Sequence, residues 1–420
     1  MATKGLAARL LEPTEAFPLA IFRIAFGVLM LGSQLRFLLR GWVEDLYLTP
    51  SFHFTYDGFE WVQVLPAGWM YALVIGCAVM ALGIALGWFY RICCVGFFLS
   101  FTYLELIDKA WYLNHYYFVS LVAFLLIFVP AHRVWSVDAW RKKAAASPFV
   151  PAWSVWLLQF QLGVVYFFAG VAKIKYDWLI LGEPMKTWLS ARTDFPLIGL
   201  WFDEPWMAYI FSWGGLIYDL SIPFFLLWSK TRPFAYLAVV GFHLMTWLLF
   251  PIGMFPWIMM ASTLIFFTAD DWRKWGKNRL PEKPHTPPVF QAKKVWGLFL
   301  ALYLGIQIFL PLRHFLYQGS VLWNEKGLRF AWHVMVMEKN GMTAYFLSDP
   351  ATGKNWTIYP DAYLIPAQER QMAFQPDMIQ QFGRFLRAEW KKKGYEEVRI
   401  RAENRVCVNK QCRDVEWEIE

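Results

Sequence analysis

The chain has 420 residues, 58% hydrophobic and 20% aromatic but only 17% charged, with a formal net charge of +8. Soluble domains are about half apolar and about a quarter charged. This composition, with a mean hydropathy of +0.34, therefore excludes an ordinary soluble globular protein and points to a polytopic α-helical membrane protein. The 25 Trp, 38 Phe and 19 Tyr suit interfacial aromatic belts. The positive balance is not a nucleic-acid footprint, because the basic residues are gathered in particular loops, and no nucleic-acid partner is expected.

Apolar runs in chain order fall at 17–39, 67–89, 92–107, 116–131, 153–172, 206–228, 234–250, 253–268 and 296–312, predicting about nine transmembrane helices. A span needs about 20 apolar residues, so the third, fourth and eighth runs are short. The first is long enough to stay in the bilayer as an anchor, and no cleavable leader is expected. With the N-terminus inside, the inside loops hold 16 basic residues: Lys4, Arg9, Arg91, Arg133, Arg141, Lys142, Lys143, Lys230, Arg232, Arg273, Lys274, Lys277, Arg279, Lys283, Lys293 and Lys294. The outside loops hold five: Lys109, Lys173, Lys175, Lys186 and Arg192. Arg36 and Arg40 count against this arrangement, but the asymmetry favours it. It sends Asn114, His115, Lys173 and the whole C-terminal tail to one non-cytoplasmic face.

Domain organisation follows as a transmembrane helical domain, 1–313, and a small non-cytoplasmic α/β domain, 314–420, with 281–288 as an inside linker. In the tail, 331–338 reads as a strand. The runs 343–347 and 356–359 flank a turn-rich stretch as a hairpin does. Residues 377–393 place Ile379, Phe382, Leu386 and Trp390 on one face of an amphipathic helix, and 398–408 alternates like a strand. Cys77, Cys93 and Cys94 lie in apolar runs as packing residues. Cys407 and Cys412 have a spacing that permits a disulfide, and there is no zinc spacing.

Several polar residues stand where they are expensive. Lys173 ends the fifth run. Desolvation there disfavours the ammonium and leaves a neutral amine, a usable base; snorkelling to the interface is the plainer alternative. His115, after Asn114, can orient or transfer a proton while the amide binds an oxyanion, or it is an interfacial histidine of an aromatic belt. His243 and Asp219 sit inside apolar runs, either as functional groups or as a structural hydrogen bond between spans, and they are candidates to pair with each other. The break from Phe250 to Phe255 reads as backbone lining a cavity for a flat apolar ligand, with Met254 and Phe255 at its edge, or as a plain helical turn. Metal, phosphate-loop and nucleophile-elbow motifs are lacking, and no metal is expected.

The segments LIDKAWYLNHYYF (106–118), YFFAGVAKIKYDW (166–178), GGLIYDL (214–220), FHLMTWLLFPIGMF (242–255), FLPLRHFLYQG (309–319) and WHVMVMEKNG (332–341), in this order, resemble the vitamin K-dependent gamma-glutamyl carboxylase family. The chain looks like a compact bacterial-type homologue. The resemblance implies a carboxylase of the carbon–carbon lyase class. It couples oxygenation of reduced vitamin K (phylloquinol or menaquinol) by O2 to the 2,3-epoxide with CO2 addition at the γ-carbon of a peptide glutamate. Lys173 matches the base that deprotonates the hydroquinone; Asn114 and His115 match the family's Asn-His pair, whose histidine is linked to the carboxylation half. His243, Asp219, Met254, Phe255 and Met335 are the implied quinone contacts. Arg192 and Lys339 are the implied substrate contacts.

The chain departs from the family pattern where Met337 and Lys339 replace a histidine and an arginine. Partners of the disulfide that joins the membrane and luminal parts are not evident. The animal C-terminal extension has no counterpart here, so recognition of a clotting-factor-type propeptide is not expected. Implied partners are a glutamate-containing protein, the bilayer and the quinone pool, in a bacterial inner membrane. Two alternatives stay open: a hydroquinone epoxidase with altered or lost carboxylation, and a non-enzymatic transporter or lipid-binding membrane protein.

Overall fold

The structure is a computed structural model that describes residues 5–142, 147–275, 289–291 and 294–419. The expected linker 281–288 and the basic residues Lys4, Lys143, Lys277, Arg279, Lys283 and Lys293 lie outside the described residues. Among the described residues, nine apolar helical segments stand at the nine expected runs: α1 Phe17–Leu39, α2 Ala67–Leu86, α3 Tyr90–Ile107, α4 Asn114–Phe128, α5 Trp153–Ala172, α6 Pro205–Leu227, α7 Arg232–Leu249, α8 Phe255–Ser262 and α9 Lys294–Leu312. Seven are long and apolar enough to cross a membrane; α4 and α8, the latter extended to Phe266 by a 3-10 turn, are shorter. The chain is thus a polytopic helical membrane protein with a C-terminal sheet unit. Proline opens α1, α6, α7 and α8 at the first or second helical position, where its missing N–H costs nothing.

Small residues set the helix contacts, as expected where lipid removes the hydrophobic drive between helices. A Cβ on Gly27 would meet the Ala85 nitrogen at 2.5 Å, so α1 and α2 touch backbone to backbone. A Cβ on Gly170 would meet Leu220 Cδ2 at 2.7 Å and the Leu220 nitrogen at 3.0 Å. That second approach brings the end of α5 against the middle of α6, and it places Lys173 beside Asp219. At the opposite end of the bundle, a two-stranded ribbon, β1 Pro13–Glu15 against β2 Phe149–Pro151, ties the N-terminus to the start of α5.

The C-terminal unit is a four-stranded antiparallel sheet of β3 Lys339–Ser348, β4 Asn355–Ile358, β5 Arg399–Val408 and β6 Gln411–Glu418, in the order β4-β3-β5-β6. The predicted hairpin is β3 and β4, with Tyr345 opposite Ile358 and Ser348 opposite Asn355. Helix α10, Pro376–Lys392, buries Ile379, Phe382, Leu386 and Trp390, and these pack in one core with Tyr345, Leu347 and Ile400 of the sheet. Cys407 and Cys412 are directly opposite across β5 and β6 and are disulfide-bonded. Cys77, Cys93 and Cys94 are buried and free.

The predicted strand at 331–338 is not formed. The stretch is irregular, with left-handed backbone at Phe330 (φ 64°), Trp332 (φ 58°) and Met335 (φ 52°), a conformation rare for bulky residues. Two of its carbonyls, of His333 and Val334, accept from Asn114 and Lys173 at the ends of the membrane helices, and the Glu338 carbonyl accepts from the Asn409 N–H just beyond β5. Trp332 is buried and stacks on Tyr117 of α4, ring centroids 5.0 Å apart.

Polar contacts fasten the C-terminal unit to loops predicted on the same face. Buried Lys109 pairs with Asp377 at 2.8 Å. Gln368 donates to Asp108 at 2.6 Å and to the Phe52 carbonyl at 2.8 Å. Burial alone would raise the Asp377 carboxyl, but Arg329 and Lys109 outweigh it and hold it at about 2.

Candidate functional site

Lys173 caps α5 and is 5% exposed. Its ammonium donates to Asp219 Oδ2 at 2.8 Å, to the Ala169 carbonyl at 3.2 Å and to the Val334 carbonyl at 3.3 Å. It also lies 5.3 Å from the centroid of the Trp178 ring. The lone desolvated amine expected from the sequence is therefore one half of a buried ion pair. Asp219, 6% exposed, sits four residues before Pro223 within α6. A proline there removes the N–H that would bond the Asp219 carbonyl, so the helical ladder is interrupted beside this carboxylate.

The pair lines a cavity of about 70 Å³, several times the ~10–15 Å³ that one water needs, walled by Trp178, Phe242, Phe250, Phe255, Met259 and Met335. Phe250 and Phe255, which flank the break between α7 and α8, line the cavity, whereas the residues of the break itself, 251–254, do not. His243 also faces it. The expected pairing of His243 with Asp219 is not formed: Asp219 is taken by Lys173, and His243 Nε2 lies 3.0 Å from the Tyr166 hydroxyl. His243 Nδ1 is buried without a hydrogen-bond partner.

Of the other candidates, Met335 and Phe255 line the cavity, whereas Met254 packs against the main helical core and does not. His115 is buried in α4 but does not line the cavity either. The Phe255 ring stands between the two histidines, 5.9 Å from His115 and 5.6 Å from His243, centroid to centroid. Asn114 has both ends of its amide engaged. Its Oδ1 accepts from Tyr112 at 3.1 Å and its Nδ2 donates to the His333 carbonyl at 3.3 Å, so it holds the irregular segment.

Arg192 is away from the cavity and donates to the Leu248 and Leu249 carbonyls at the end of α7. A cation is favourable at a helix C-terminus. Lys339 is buried in an ion pair with Glu325 at 2.5 Å. Burial pushes the Lys339 amine down and the Glu325 carboxyl up. Lys339 does not reach the cavity. Met337 packs near Ala172, Leu322 and Val336.

Sequence reasoning passed over Tyr166, Trp178 and Val334. Tyr166 was findable, since seven residues before Lys173 is the same face of α5. Val334 was not, because it acts through its carbonyl, which any residue carries. Among the described residues no group of three or more His, Cys, Asp or Glu is placed to hold a metal ion.

The fold and site define a polytopic membrane protein with a buried acid–base pair in an aromatic cavity, closed by a segment of its C-terminal unit. The family profile described as "HTTM domain" matches residues 11–272, and that described as "Vitamin K-dependent gamma-carboxylase, lumenal domain" matches residues 292–415. The chain belongs to the vitamin K-dependent gamma-glutamyl carboxylase family. No solved structure matches it.

Proposed function

We propose that the protein is an integral membrane carboxylase that couples oxygenation of a vitamin K-type hydroquinone with CO2 addition to the γ-carbon of a protein glutamate. The observation that carries this reading is the Lys173–Asp219 pair facing an aromatic cavity while the C-terminal segment binds the same amine through Val334. The lining fits a flat apolar ring with polar ends. Aromatic and methionine side chains supply the walls, and His243 Nδ1 is an orphaned polar atom that a ring hydroxyl would satisfy. When bound, the reduced quinone supplies, by its oxygenation, the base strength that glutamate deprotonation needs.

The residues act as follows. Lys173 Nζ passes a proton to Asp219 Oδ2, and the resulting amine takes the proton of a ring hydroxyl. One proton has then moved from the hydroxyl to Asp219, and the restored ammonium stands beside the oxyanion and stabilises it. Tyr166 orients the His243 ring. Phe255, Met259 and Met335 exclude water, which strengthens these interactions.

The native quinone is taken to be phylloquinol or menaquinol from the quinone pool, and the membrane a bacterial inner membrane. Residues 1–313 are assigned to the membrane domain and 314–420 to a non-cytoplasmic one. The basic asymmetry of the loops supports that side, as does the set of contacts from Lys109 and Asp108 to the C-terminal unit. The test is incubation with labelled hydrogencarbonate, reduced vitamin K, O2 and a glutamate-rich peptide. Label retained in the peptide supports the proposal; epoxide without label refutes the carboxylation half.

A second reading, hydroquinone epoxidation with altered or lost carboxylation, is favoured by one observation: His115, tied by resemblance to carboxylation, does not line the cavity and packs on Phe255, which does. The same incubation separates the two.

A further inference from the structure

A second cavity, of about 340 Å³, lies on the other side of the irregular segment, between the end of α5, the end of α9 and Ala331–His333. Its polar lining is unlike that of the first. Lys175 Nζ is buried and has no hydrogen-bond partner, and His333, 6% exposed, has no well-formed hydrogen bond at either ring nitrogen, the Ala331 carbonyl being a weak neighbouring acceptor. His314 adds a third polar ring, 5.0 Å from His333 centroid to centroid, with its Nδ1 2.8 Å from the Pro311 carbonyl. No Asp or Glu lines the cavity among the described residues. The nearby Asp177 accepts a hydrogen bond from Asn409 at 2.8 Å.

Unpaired buried donors are costly, and a native structure normally satisfies them. An amine and an imidazole facing one space that no described acid lines are complementary to an anion, with Asp177 behind Lys175 favouring its ammonium form. We propose that this cavity is a binding site for a single carboxylate-type monoanion, held by Lys175 with His333 as second donor. One cation and one neutral ring match a monoanion; a phosphate dianion would need a second fixed charge, and among the described residues no arginine lines the cavity. Burial lowers the Lys175 amine to about 8, so it is still largely cationic near neutrality. Burial, with Lys175 and His314 beside it, lowers His333 to about 3, so the ring is neutral and donates through one nitrogen.

The site is coupled to the first cavity by one short stretch of backbone. His333 gives its side chain to the second cavity and its carbonyl to Asn114, and the next carbonyl, of Val334, binds Lys173. Two anions of this chemistry belong to the proposed reaction: the side-chain carboxylate of the acceptor glutamate and hydrogencarbonate as the reservoir of CO2. Naming these sources rests on the carboxylase reading; the anion site itself does not.

The test is equilibrium binding to the full-length protein in lipid nanodiscs, without turnover. Three probes are used: a short peptide with one glutamate, the same peptide with glutamine, and 13C-hydrogencarbonate. The wild-type protein is expected to bind the glutamate peptide in preference to the glutamine peptide, or to bind hydrogencarbonate; the probe that binds identifies the source. Lys175→Gln should weaken that binding about 10–100-fold, the loss expected for a charge-assisted hydrogen bond, and Lys175→Arg should retain most of it. Equal binding by wild type and Lys175→Gln, or no binding of any probe by wild type, overturns the site. Should Lys175→Gln fail to fold, His333→Leu decides by the same readout. Binding lost in Lys175→Gln by a protein that never carboxylates leaves the site and removes the proposed reaction. Binding unchanged in a protein that does carboxylate removes the site and leaves the reaction.

Discussion

Replacing Asp219 by asparagine keeps the shape of the side chain and removes its charge, which makes it the sharpest probe of the buried pair. Lys173 Nζ has three acceptors, at 2.8, 3.2 and 3.3 Å, and only the shortest is charged. Breaking a buried pair by removing one partner typically costs ~3–5 kcal/mol. The Ala169 and Val334 carbonyls stay in place, so the loss should fall near the lower end, at about 3 kcal/mol. Replacing both members together, Lys173→Met with Asp219→Leu, should recover most of it, since apolar pairs often substitute for buried ion pairs at no cost. Activity should behave differently. Asparagine cannot take the proton that Lys173 must pass on, so epoxide formation should fall about 10²–10⁴-fold, and the double variant should be no better. Thermal unfolding in nanodiscs reads the first effect, and chromatography of quinone and epoxide reads the second. An Asp219→Asn protein with wild-type stability and a wild-type epoxidation rate would refute both the pairing energy and the proton route.

Lys173→Ala should nearly abolish epoxidation in a folded protein, with a small added amine restoring part of the rate; near-normal epoxide formation would remove Lys173 as the base. His115→Ala should lower carboxylation more than epoxidation, by about 10²–10³-fold for loss of one stabilising donor. Equal loss of both would instead assign His115 to holding Phe255 and the cavity wall. Reporter fusions at the C-terminus should be active only outside the cytoplasm, and cytoplasmic activity would overturn the orientation. Acid should loosen the C-terminal unit from the helices. Asp377, held at about 2 when folded against ~3.9 when free, stabilises the fold above pH ~4, and that contribution is lost as the pH falls through about 2. Its side chain is 40% exposed, so solvent screening keeps the contribution modest. Tryptophan fluorescence across that range should show a step that Asp377→Asn abolishes, and an unchanged step would exclude the pair as its cause.

What the sequence determined by itself was whatever is written in periodicity and composition. Each apolar run became an apolar helix because a lipid-facing backbone must satisfy its hydrogen bonds internally. Helix α10 was legible because Ile379, Phe382, Leu386 and Trp390 recur at helical spacing, and the β3–β4 hairpin because a turn-rich stretch separates two strand-like runs. Lys173 and Asp219 were visible as candidates because charge inside an apolar run is rare. Their partnership was not, and the sequence favoured His243 for Asp219. The choice is made by Gly170, which lets α5 close on α6 at Leu220 and puts the amine within 2.8 Å of the carboxylate.

The stretch 331–338 reads as a strand, but its outcome depends on what lies beside it. Asn114 and Lys173 take the His333 and Val334 carbonyls, and a backbone so engaged has no ladder to join. The tertiary structure also decided that Arg192 and Lys339 stand apart from the cavity, since side-chain reach depends on which helix ends converge. It likewise decided that His333 and Lys175, unremarkable in the sequence, share a cavity that no acid lines among the described residues.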